Sequence, residues 1–338
     1  MICIYHNDAD GHCAAAIVSL MIAHDMEPKN FIEYAHAGQI NLPDDDIHEK
    51  ERVFIVDLAL DHNIMKVIRK CLKKQCEIVH IDHHVGGKIF EEHLSQGDQI
   101  LYERVTNFYN EKISGCLLTL VYSYMTDTEK NDPSAVSYDF TEDFSHVAFY
   151  PENKKLMREC FVPTAVRYIN DQDVWTHQFR ESRYFNLGYT MEKNHPIDGH
   201  QFWVDMLYDN NIMEVRRLIN NGETVNSYQE KIYKQANKNG FEATINGFKG
   251  WIVNCPIGNS FLFGDKYMQY DFVCKYAFDG EIKKWRYSFY SKNESKFDCG
   301  KVCRSTFGGN GHFHAAGGTT DFNYFCRCAN SDEEDNGE

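Results

Sequence analysis

The sequence lacks the features that send a chain out of the cell or into a membrane. No basic region followed by an apolar segment stands at its N-terminus, so we expect no signal peptide. No apolar run approaches the roughly 20 residues that a transmembrane helix needs. We therefore predict a cytoplasmic globular protein without a membrane partner.

The CxxC pairs that often hold structural zinc are also absent. The 12 cysteines are scattered through 338 residues and accompany no secretion signal. We interpret them as free thiols in a reducing compartment. This interpretation includes the pair Cys299 and Cys303 and the pair Cys326 and Cys328, which have no histidine partners.

Positive charge is scarce in this chain. The formal net charge is −15, from 35 Lys and Arg against 50 Asp and Glu. Affinity for nucleic acid depends largely on basic side chains that neutralise phosphates, so we expect no binding to long duplex DNA. An acidic protein can still bind a small anion at a local site that holds divalent cations. Small phosphorylated substrates therefore stay open.

The residue pattern is that of an α/β protein. Hydrophobic residues make up 43% and charged residues 25% of the chain, which is long enough for two globular domains. Short apolar runs predict parallel strands at Met1–Tyr5, Val53–Val56 and Ile78–Ile81. Helices are predicted at Gly11–His24 and Ile113–Met125. In open α/β sheets, ligands bind beyond the carboxyl ends of the strands.

Each predicted strand ends in acidic or imidazole side chains. They are His6, Asp8 and Asp10 after the first strand, Asp57 after the second, and Asp82, His83 and His84 after the third. Because side chains alternate along an extended chain, we expect His6, Asp8 and Asp10 to share one side of it. A later apolar run, AVRYINDQDVW, reaches Asp171 and Asp173, and we interpret its Trp175 as a packing residue.

This mixture of carboxylates and imidazoles predicts a metal site. It suits Mn²⁺ or a similar transition ion, whereas ligands that were all oxygen would favour Mg²⁺ or Ca²⁺. Paired ions in phosphoryl-transfer sites lie about 3.5–4 Å apart and usually share a bridging carboxylate. The pattern alone leaves the ligand set open.

The second half of the chain changes character. Apolar residues recur at helical spacing from about residue 201 to 237, which predicts a helical connector. From Phe241 onward, β-rich runs alternate with turns. A glycine cluster, FGGNGHFHAAGG, follows, and its glycines would let the backbone approach a ligand closely. The polar segment 126–145 is predicted to be a surface insertion.

The chain resembles the DHH phosphoesterase superfamily, which includes RecJ-like exonucleases, nanoRNases and cyclic-dinucleotide phosphodiesterases. Its segments HNDADG, VFIVD, IDHH and INDQD are similar, in that order, to the four N-terminal motifs of the superfamily. The segment STFGGNGHFHAAGG resembles the glycine-histidine motif of the DHH-associated C-terminal domain. The resemblance extends from His6 to Gly318, and the chain's size and helical connector are most similar to the nanoRNase branch.

The resemblance implies an α/β fold with two domains. Residues 1–195 would form a parallel-sheet DHH domain, and residues 196–240 the helical connector. Residues 241–328 would form a smaller α/β domain that binds substrate, and residues 329–338 an acidic disordered tail. The active site would lie in the cleft between the two domains.

Roles for the metal-site residues follow from the same resemblance. Two Mn²⁺ ions are implied, with Mg²⁺ or Co²⁺ as substitutes. The implied metal ligands are His6, Asp8 and Asp57 for one ion and Asp10, Asp57, His83 and Asp171 for the other, with Asp57 as the bridge. Asp82 would orient its neighbours, and His84 would donate a hydrogen bond to the scissile phosphate. A water held by the ions would be the nucleophile.

The resemblance also implies a substrate-binding set in the C-terminal domain. That set is Ser288, Tyr290, Gly308, Gly309, Gly311 and His312. Two positions depart from the family pattern. Tyr290 stands where an arginine is expected to pair with phosphate, and Asn310 interrupts a run of glycines. Tyr290 would stack on a base instead, and Lys292 or Arg304 would be candidates for the missing cation.

We therefore predict a manganese-dependent phosphodiesterase that degrades short oligonucleotides (nanoRNA) to nucleoside 5′-monophosphates. The alternatives within the same chemistry are a cyclic or linear dinucleotide phosphodiesterase and a phosphatase of nucleoside 3′,5′-bisphosphates. Outside enzymes, the alternative is a degenerate DHH protein that binds nucleotide without cleaving it. A homodimer stays open as the oligomeric state.

Overall fold

The computed structural model divides the chain into two compact units, residues 1–226 and 227–338. The residues described are 1–23, 30–34, 40, 42, 46–84, 104–133, 136–150, 158–192, 196, 199–208, 211–292, 294–311 and 313–328. The predicted acidic tail, 329–338, lies outside them. The unit boundary falls within the predicted connector, and the domain limits proposed from the sequence stay predictions.

A five-stranded parallel sheet forms the centre of the first unit. Its strands are β1 (Ile2–His6), β2 (Phe31–Tyr34), β3 (Arg52–Val56), β4 (Glu77–Asp82) and β5 (Val105–Tyr109), in the spatial order β2-β1-β3-β4-β5. β1, β3 and β4 are almost wholly buried, because a separate core cluster covers each face of the sheet. The three predicted strands are therefore confirmed as parallel neighbours.

Helices cover the sheet and complete the first unit. They are α1 (Ala9–Ile17), α2 (His62–Lys73), α3 (Gly115–Tyr124), α4 (Asp127–Asn131), α5 (Thr164–Asp173), α6 (Arg180–Tyr189) and α7 (His200–Leu207). The predicted first helix is confirmed in its described part, where α1 continues into a π-helical turn at Val18–Ile22. The polar segment 126–145 contains α4 and part of a small antiparallel sheet of β6 (Ser137–Phe140), β7 (His146–Tyr150) and β8 (Arg158–Phe161).

The start of α1 differs from the sequence-based expectation. Asp8 is the N-cap of α1, where its Oδ1 accepts a hydrogen bond from the Gly11 amide at 2.9 Å. Asp10 therefore lies in the first helical turn and not on an extended segment with Asp8 and His6. The prediction of one extended segment was wrong because an aspartate followed by an alanine-rich run is also a strong helix start.

Glycines allow α6 to approach the long helix α8 (Ile212–Lys238) closely. A Cβ at Gly188 would lie 2.0 Å from the Leu218 carbonyl oxygen, and one at Gly222 would lie 1.7 Å from the Tyr184 carbonyl oxygen. Any larger side chain there would collide with backbone, which cannot rotate away. α8 confirms the helical spacing read from residues 201 to 237, and its role as a connector stays a prediction.

The second unit is built on a six-stranded mixed sheet. Its strands are β9 (Phe241–Ile245), β10 (Phe248–Asn254), β11 (Phe272–Asp279), β12 (Lys284–Tyr290), β13 (Asn310–Gly311) and β14 (Ala315–Thr320). The spatial order is β13-β14-β12-β11-β10-β9, and the pairing of β10 with β11 is the parallel one. Short helices α9 (Lys266–Gln269), α10 (Cys299–Thr306) and α11 (Tyr324–Cys328) complete the unit. The predicted α/β class is confirmed for both units.

Two further observations concern the length of the apolar helices and the state of the cysteines. Within the described ranges, no helix is long and apolar enough to cross a bilayer. The 11 cysteines that the structure describes are all free thiols. Burial raises the pKa of most of them, to about 12 at Cys71, so these thiols are poor nucleophiles at neutral pH.

We expect Gly188→Ala to destabilise the first unit by about 2 kcal/mol or more, because the new methyl group would push α6 away from α8. Chemical denaturation with urea would measure the loss. Gly280→Ala is the matched control, since a Cβ at that position would meet no atom within 4 Å. Equal stability of the two variants would contradict the close helix contact.

Candidate active site

The polar residues that end β1, β3 and β4 meet at the edge where the sheet order reverses. The connection after β1 leads to β2 on one side, whereas the connection after β3 leads to β4 on the other side. The strand order therefore reverses between β1 and β3, a position at which α/β proteins commonly bind ligands. His6 is the last residue of β1, Asp57 follows β3, and Asp82 ends β4.

The first group of side chains is His6, Asp8 and Asp57, each of which offers one ligand atom within 4.8 Å of the others. His6 Nδ1 lies 2.8 Å from Asp8 Oδ2 and 3.7 Å from Asp57 Oδ2. Burial disfavours the charged imidazole, but the two carboxylates prevail and raise the pKa of His6 to about 10. In turn, His6 and the Gly11 amide lower the pKa of Asp8 to about 2 against its burial.

The backbone at Asp57 is left-handed, with φ of 55°. Its amide continues the pairing with β4 by donating to the Ile81 carbonyl oxygen at 2.9 Å. Gly115 makes room for it, because a Cβ at Gly115 would lie 2.6 Å from Asp57 Cβ. Aspartate tolerates this left-handed conformation better than most residues. The turn at Asp57 places its carboxylate at the edge of the sheet.

The second group is Asp10, His83 and Asp173. His83 Nε2 lies 3.2 Å from Asp57 Oδ1, 3.3 Å from Asp173 Oδ2 and 3.7 Å from Asp10 Oδ2. His83 thus joins the second group to Asp57, which also belongs to the first. Asp57 also forms a third candidate group with His83 and His84, so it lies against both sets of ligands, as a bridging ligand would.

The N-terminus of α3 orients Asp10. The backbone amides of Gly115 and Cys116 donate to its two carboxylate oxygens at 2.7 and 2.9 Å. These amides would otherwise lack partners, and the positive end of the helix dipole favours a carboxylate there. Asp10 is only 2% exposed, so the helix end supplies much of the polar environment that keeps this carboxylate in the interior.

Asp171 and Asp173 have different roles, although both lie in the last turn of α5. The Asp171 carboxylate accepts four hydrogen bonds from the segment that follows the helix: Thr176 Oγ1 at 2.6 Å, Gln178 N at 2.6 Å, Phe179 N at 3.2 Å and Ser182 Oγ at 2.5 Å. Its pKa is lowered by these donors despite burial. Asp173 instead faces His83. The geometry favours Asp173 as the ligand in place of Asp171, whose assignment from the sequence stays a prediction.

Asp82 and His84 form a pair beside the two groups. Asp82 Oδ1 accepts a hydrogen bond from His84 Nδ1 at 2.7 Å, and Asp82 is completely buried. This contact and the neighbouring imidazoles lower the pKa of Asp82 against the effect of burial. The carboxylate therefore fixes the orientation of the His84 ring, which is 33% exposed.

The donor set fits divalent cations. Among the described residues, both carboxylate oxygens of Asp57, Nε2 of His83 and Oδ2 of Asp173 are buried yet make no hydrogen bond. Burial, together with the charge of Asp10, raises the pKa of Asp57 well above its usual range and that of Asp173 to about 8. Buried polar atoms without partners are rare in folded proteins. Bound cations would supply the partners and remove the repulsion between the carboxylates.

Comparison with known proteins identifies the fold. No family model and no curated protein matched the sequence. Among solved structures, the pGpG-specific phosphodiesterase PggH from Vibrio cholerae is 12% identical, with a TM-score of 0.52 over 98% of this chain and 97% of that one. A DHH domain from a protein described as a member of a ribosomal-protein family is 15% identical, with a TM-score of 0.54 over 98% and 85% of the two chains. The chain has the DHH fold.

The DHH fold brings together most of the residues predicted from the sequence. His6, Asp8, Asp10, Asp57 and His83 lie in the two groups, whereas Asp171 does not. Sequence reasoning gave no role to Gly115, which follows a serine that caps α3 and which no motif marks. It also did not choose Asp173 over Asp171, because both stand in the same DQD triplet.

Trp175 is 56% exposed, so its interpretation as a packing residue was wrong. It lies two residues beyond Asp173 and has a left-handed backbone, with φ of 57°. The backbone oxygen of Asp171 accepts from the amides of Thr176 and His177 at 3.2 and 3.4 Å. The hydrogen bonds to Asp171 therefore hold an unusual turn directly after the last turn of α5.

The predicted substrate-binding residues lie in the second unit. Ser288 and Tyr290 are on β12, where they pair with Gly317 and Ala315 of β14. Gly311 is on β13, and Gly309 lies so close to β14 that a Cβ there would be 1.9 Å from the Gly317 carbonyl oxygen. Gly308 has a left-handed backbone, with φ of 56°. His312 lies outside the described residues, and the roles of all six stay predictions.

We expect Asp173→Ala to weaken Mn²⁺ binding by tenfold or more with little loss of stability, because it removes a ligand that is otherwise repelled. Asp171→Ala should instead lower the free energy of unfolding by about 3 kcal/mol, since four donors lose their acceptor. Calorimetric Mn²⁺ titration and urea denaturation of both variants would separate the two roles. Loss of Mn²⁺ binding in a fully stable Asp171→Ala variant would restore the assignment from the sequence.

The stability of the metal-free protein should fall as pH rises. The pKa of Asp173 is raised from 3.8 to about 8, so between these values the folded chain holds a proton that the unfolded chain has released. The raised pKa of His6 acts in the same direction between its unfolded value of 6.5 and about 10. Urea midpoints measured in chelator between pH 5 and 8 should decline, and Asp173→Asn should flatten that decline. Asp139→Asn, at an exposed position, should leave it unchanged.

Proposed function

We propose that this protein is a metal-dependent phosphodiesterase that hydrolyses short oligonucleotides to nucleoside 5′-monophosphates. The observation that carries the proposal is the pair of ligand groups that meet at Asp57. Buried carboxylates that repel one another are maintained mainly where function uses them. A protein that only bound nucleotide would not need this arrangement of ligands.

Two divalent ions, with Mn²⁺ as the first choice, would be held by residues of both groups. The ligands we propose are His6, Asp8 and Asp57 for one ion and Asp10, Asp57, His83 and Asp173 for the other. Two imidazoles among carboxylates favour a transition ion over Ca²⁺ or Mg²⁺. When bound, such ions lower the pKa of a coordinated water and offset the charge that develops on a phosphoryl group.

The chain's own residues would prepare the site for this chemistry. The α3 amides hold Asp10 in one orientation, and the hydrogen bonds of Asp171 hold the segment that follows Asp173. Asp82 orients the His84 ring, from which an N–H group can donate a hydrogen bond to a non-bridging phosphate oxygen. Because these contacts exist before substrate binds, little reorganisation is needed during the reaction.

The choice of short substrates rests on charge and on a structural neighbour. A net charge of −15 disfavours long polyanions, whose binding requires many phosphate contacts with basic side chains. PggH is described as specific for pGpG, a linear dinucleotide. A linear dinucleotide phosphodiesterase is therefore the second candidate, and its substrate falls within the short class that we propose.

The test is hydrolysis of a substrate panel with added Mn²⁺. The panel would contain pGpG, a pentanucleotide, a long single strand, cyclic dinucleotides and adenosine 3′,5′-bisphosphate, with products separated by chromatography. We expect cleavage of the two- to five-nucleotide substrates first. Asp57→Asn should reduce their hydrolysis by at least 100-fold because one residue serves both groups, and the exposed Asp139→Asn is the matched control.

Each result of the panel has a defined meaning. Cleavage of pGpG alone would favour the second candidate, and first cleavage of cyclic dinucleotides or of the bisphosphate would replace the proposed substrate. Unchanged hydrolysis in Asp57→Asn would refute the bridging role. If the wild-type protein cleaved none of the panel with Mn²⁺, Mg²⁺ or Co²⁺ but bound nucleotides, it would be a nucleotide-binding protein with a DHH fold.

A further inference from the structure

The second unit contains a pocket that the metal chemistry does not use. It has a volume of about 240 Å³ and lies along β11 and β12, beside the turn that follows β10. Its polar side chains come from Lys275, Asp279, Arg286 and Ser288. Sites for whole drug-sized ligands usually have volumes of roughly 300–1,000 Å³, so the size of this pocket suits one phosphate group with part of its sugar.

The sheet itself places the polar groups together. Lys275 pairs directly with Ser288, and the next pair on the same face is Ala277 with Arg286. Side chains of directly opposed residues on one face lie about 4.5–5.5 Å apart at their Cβ atoms. The alternate residues of both strands, such as Cys274 and Phe289, are buried in the core. The cations and the serine hydroxyl therefore share the face of the sheet opposite that core.

Lys275 is a partly buried cation without a carboxylate partner among the described residues. Its ammonium group makes a long polar contact, 3.5 Å from Nζ to the Pro256 carbonyl oxygen. Burial lowers the pKa of its ammonium group. A partly desolvated ammonium group of this kind is stabilised when an anion enters the pocket.

Arg286 adds a second cation, held in place by Asp279. Arg286 Nε lies 2.7 Å from Asp279 Oδ2, while Asp279 Oδ1 accepts from the amides of Glu281 and Ile282 at 2.9 and 3.1 Å. The carboxylate thus offsets one of the two cations, and the pocket keeps an excess of one positive charge. In a chain with a net charge of −15, such a local excess favours a small anion over a long one.

We propose that this pocket binds a phosphate group of a nucleotide, with Lys275 as its main cation and Ser288 as a neutral donor. The inference deepens the proposed function, on which its nucleotide assignment rests. Lys275 would supply the positive charge that Tyr290 cannot. Lys292, a candidate from the sequence, directs its Nζ to the Met268 carbonyl oxygen at 2.9 Å and does not line the pocket.

Small residues next to Ser288 support the assignment. Ser288 pairs on its other side with Gly317, where a Cβ would lie 3.3 Å from the Tyr287 carbonyl oxygen. With no side chain at position 317, the face of the sheet beside Ser288 has room for a ligand. Tyr290 lies two residues along the same face. Burial raises the pKa of its phenol, and a hydrogen bond with the Ser288 side chain offsets only part of that increase. It stays a neutral side chain.

The test is nucleotide binding to the full chain in the presence of EDTA, so that the metal site does not contribute. Calorimetric titrations would compare AMP, inorganic phosphate and adenosine. We expect AMP to bind, phosphate to bind more weakly and adenosine to bind not at all. Lys275→Ala should weaken AMP binding about tenfold or more, as loss of one charge-assisted hydrogen bond does, and Lys275→Arg should retain part of it.

Lys284→Ala is the matched control, because Lys284 is also on β12 but its Nζ pairs with Asp321 at 3.3 Å and does not line the pocket. Circular dichroism would check that each variant is folded. Equal affinity for AMP in wild type and Lys275→Ala, or equal binding of adenosine and AMP, would overturn the proposal, as would no binding of AMP by the wild type. If the substrate panel were not hydrolysed but Lys275→Ala still lost AMP binding, the proposed function would fail and this site would stand.

Discussion

Repulsion between carboxylates held close together is the constraint to which the arrangement of the first unit's candidate site responds. Asp10, Asp57 and Asp173 converge on His83, with Asp10 and Asp57 buried and Asp173 partly buried, and the pKa values of Asp57 and Asp173 are strongly raised. A fold selected for stability alone would separate these charges or replace them. The parallel sheet instead places them at one edge, because β1 and β3 are adjacent parallel strands whose carboxyl ends lie side by side where the strand order reverses.

Backbone amides, a glycine and the Asp171 carboxylate hold the side chains and backbone at this edge of the sheet in place. The α3 amides donate hydrogen bonds to Asp10, and Gly115 leaves space for the left-handed turn at Asp57. Asp171 accepts hydrogen bonds that hold the segment after α5. No basic side chain of the described residues provides that support. Cationic side chains would compete for the carboxylates, whereas neutral donors at the rear leave the facing oxygens for metal ions.

Our proposals place the chemistry and the recognition of substrate in separate units. The first unit concentrates negative charge and therefore repels a phosphate unless cations are bound. The second has a pocket with excess positive charge on the face of its sheet, opposite the aromatic core. Such a division would allow a chain with a net charge of −15 to act on the anionic substrate that we propose. It also favours short ligands, since positive charge is local and not extended over the surface.

The sequence by itself determined three of the five strands of the first sheet, the class of fold and most of the polar residues that meet at its edge. Unbroken apolar runs such as Val53–Val56 form buried parallel strands, and a parallel sheet gathers the residues that follow them. The tertiary structure alone shows that Asp171 and Asp173, which lie two residues apart, face different partners, because a helix turns about 100° per residue. It likewise revealed the helical position of Asp10 and the pairing of Lys275 with Ser288. Such contacts join distant segments, and no local pattern encodes them.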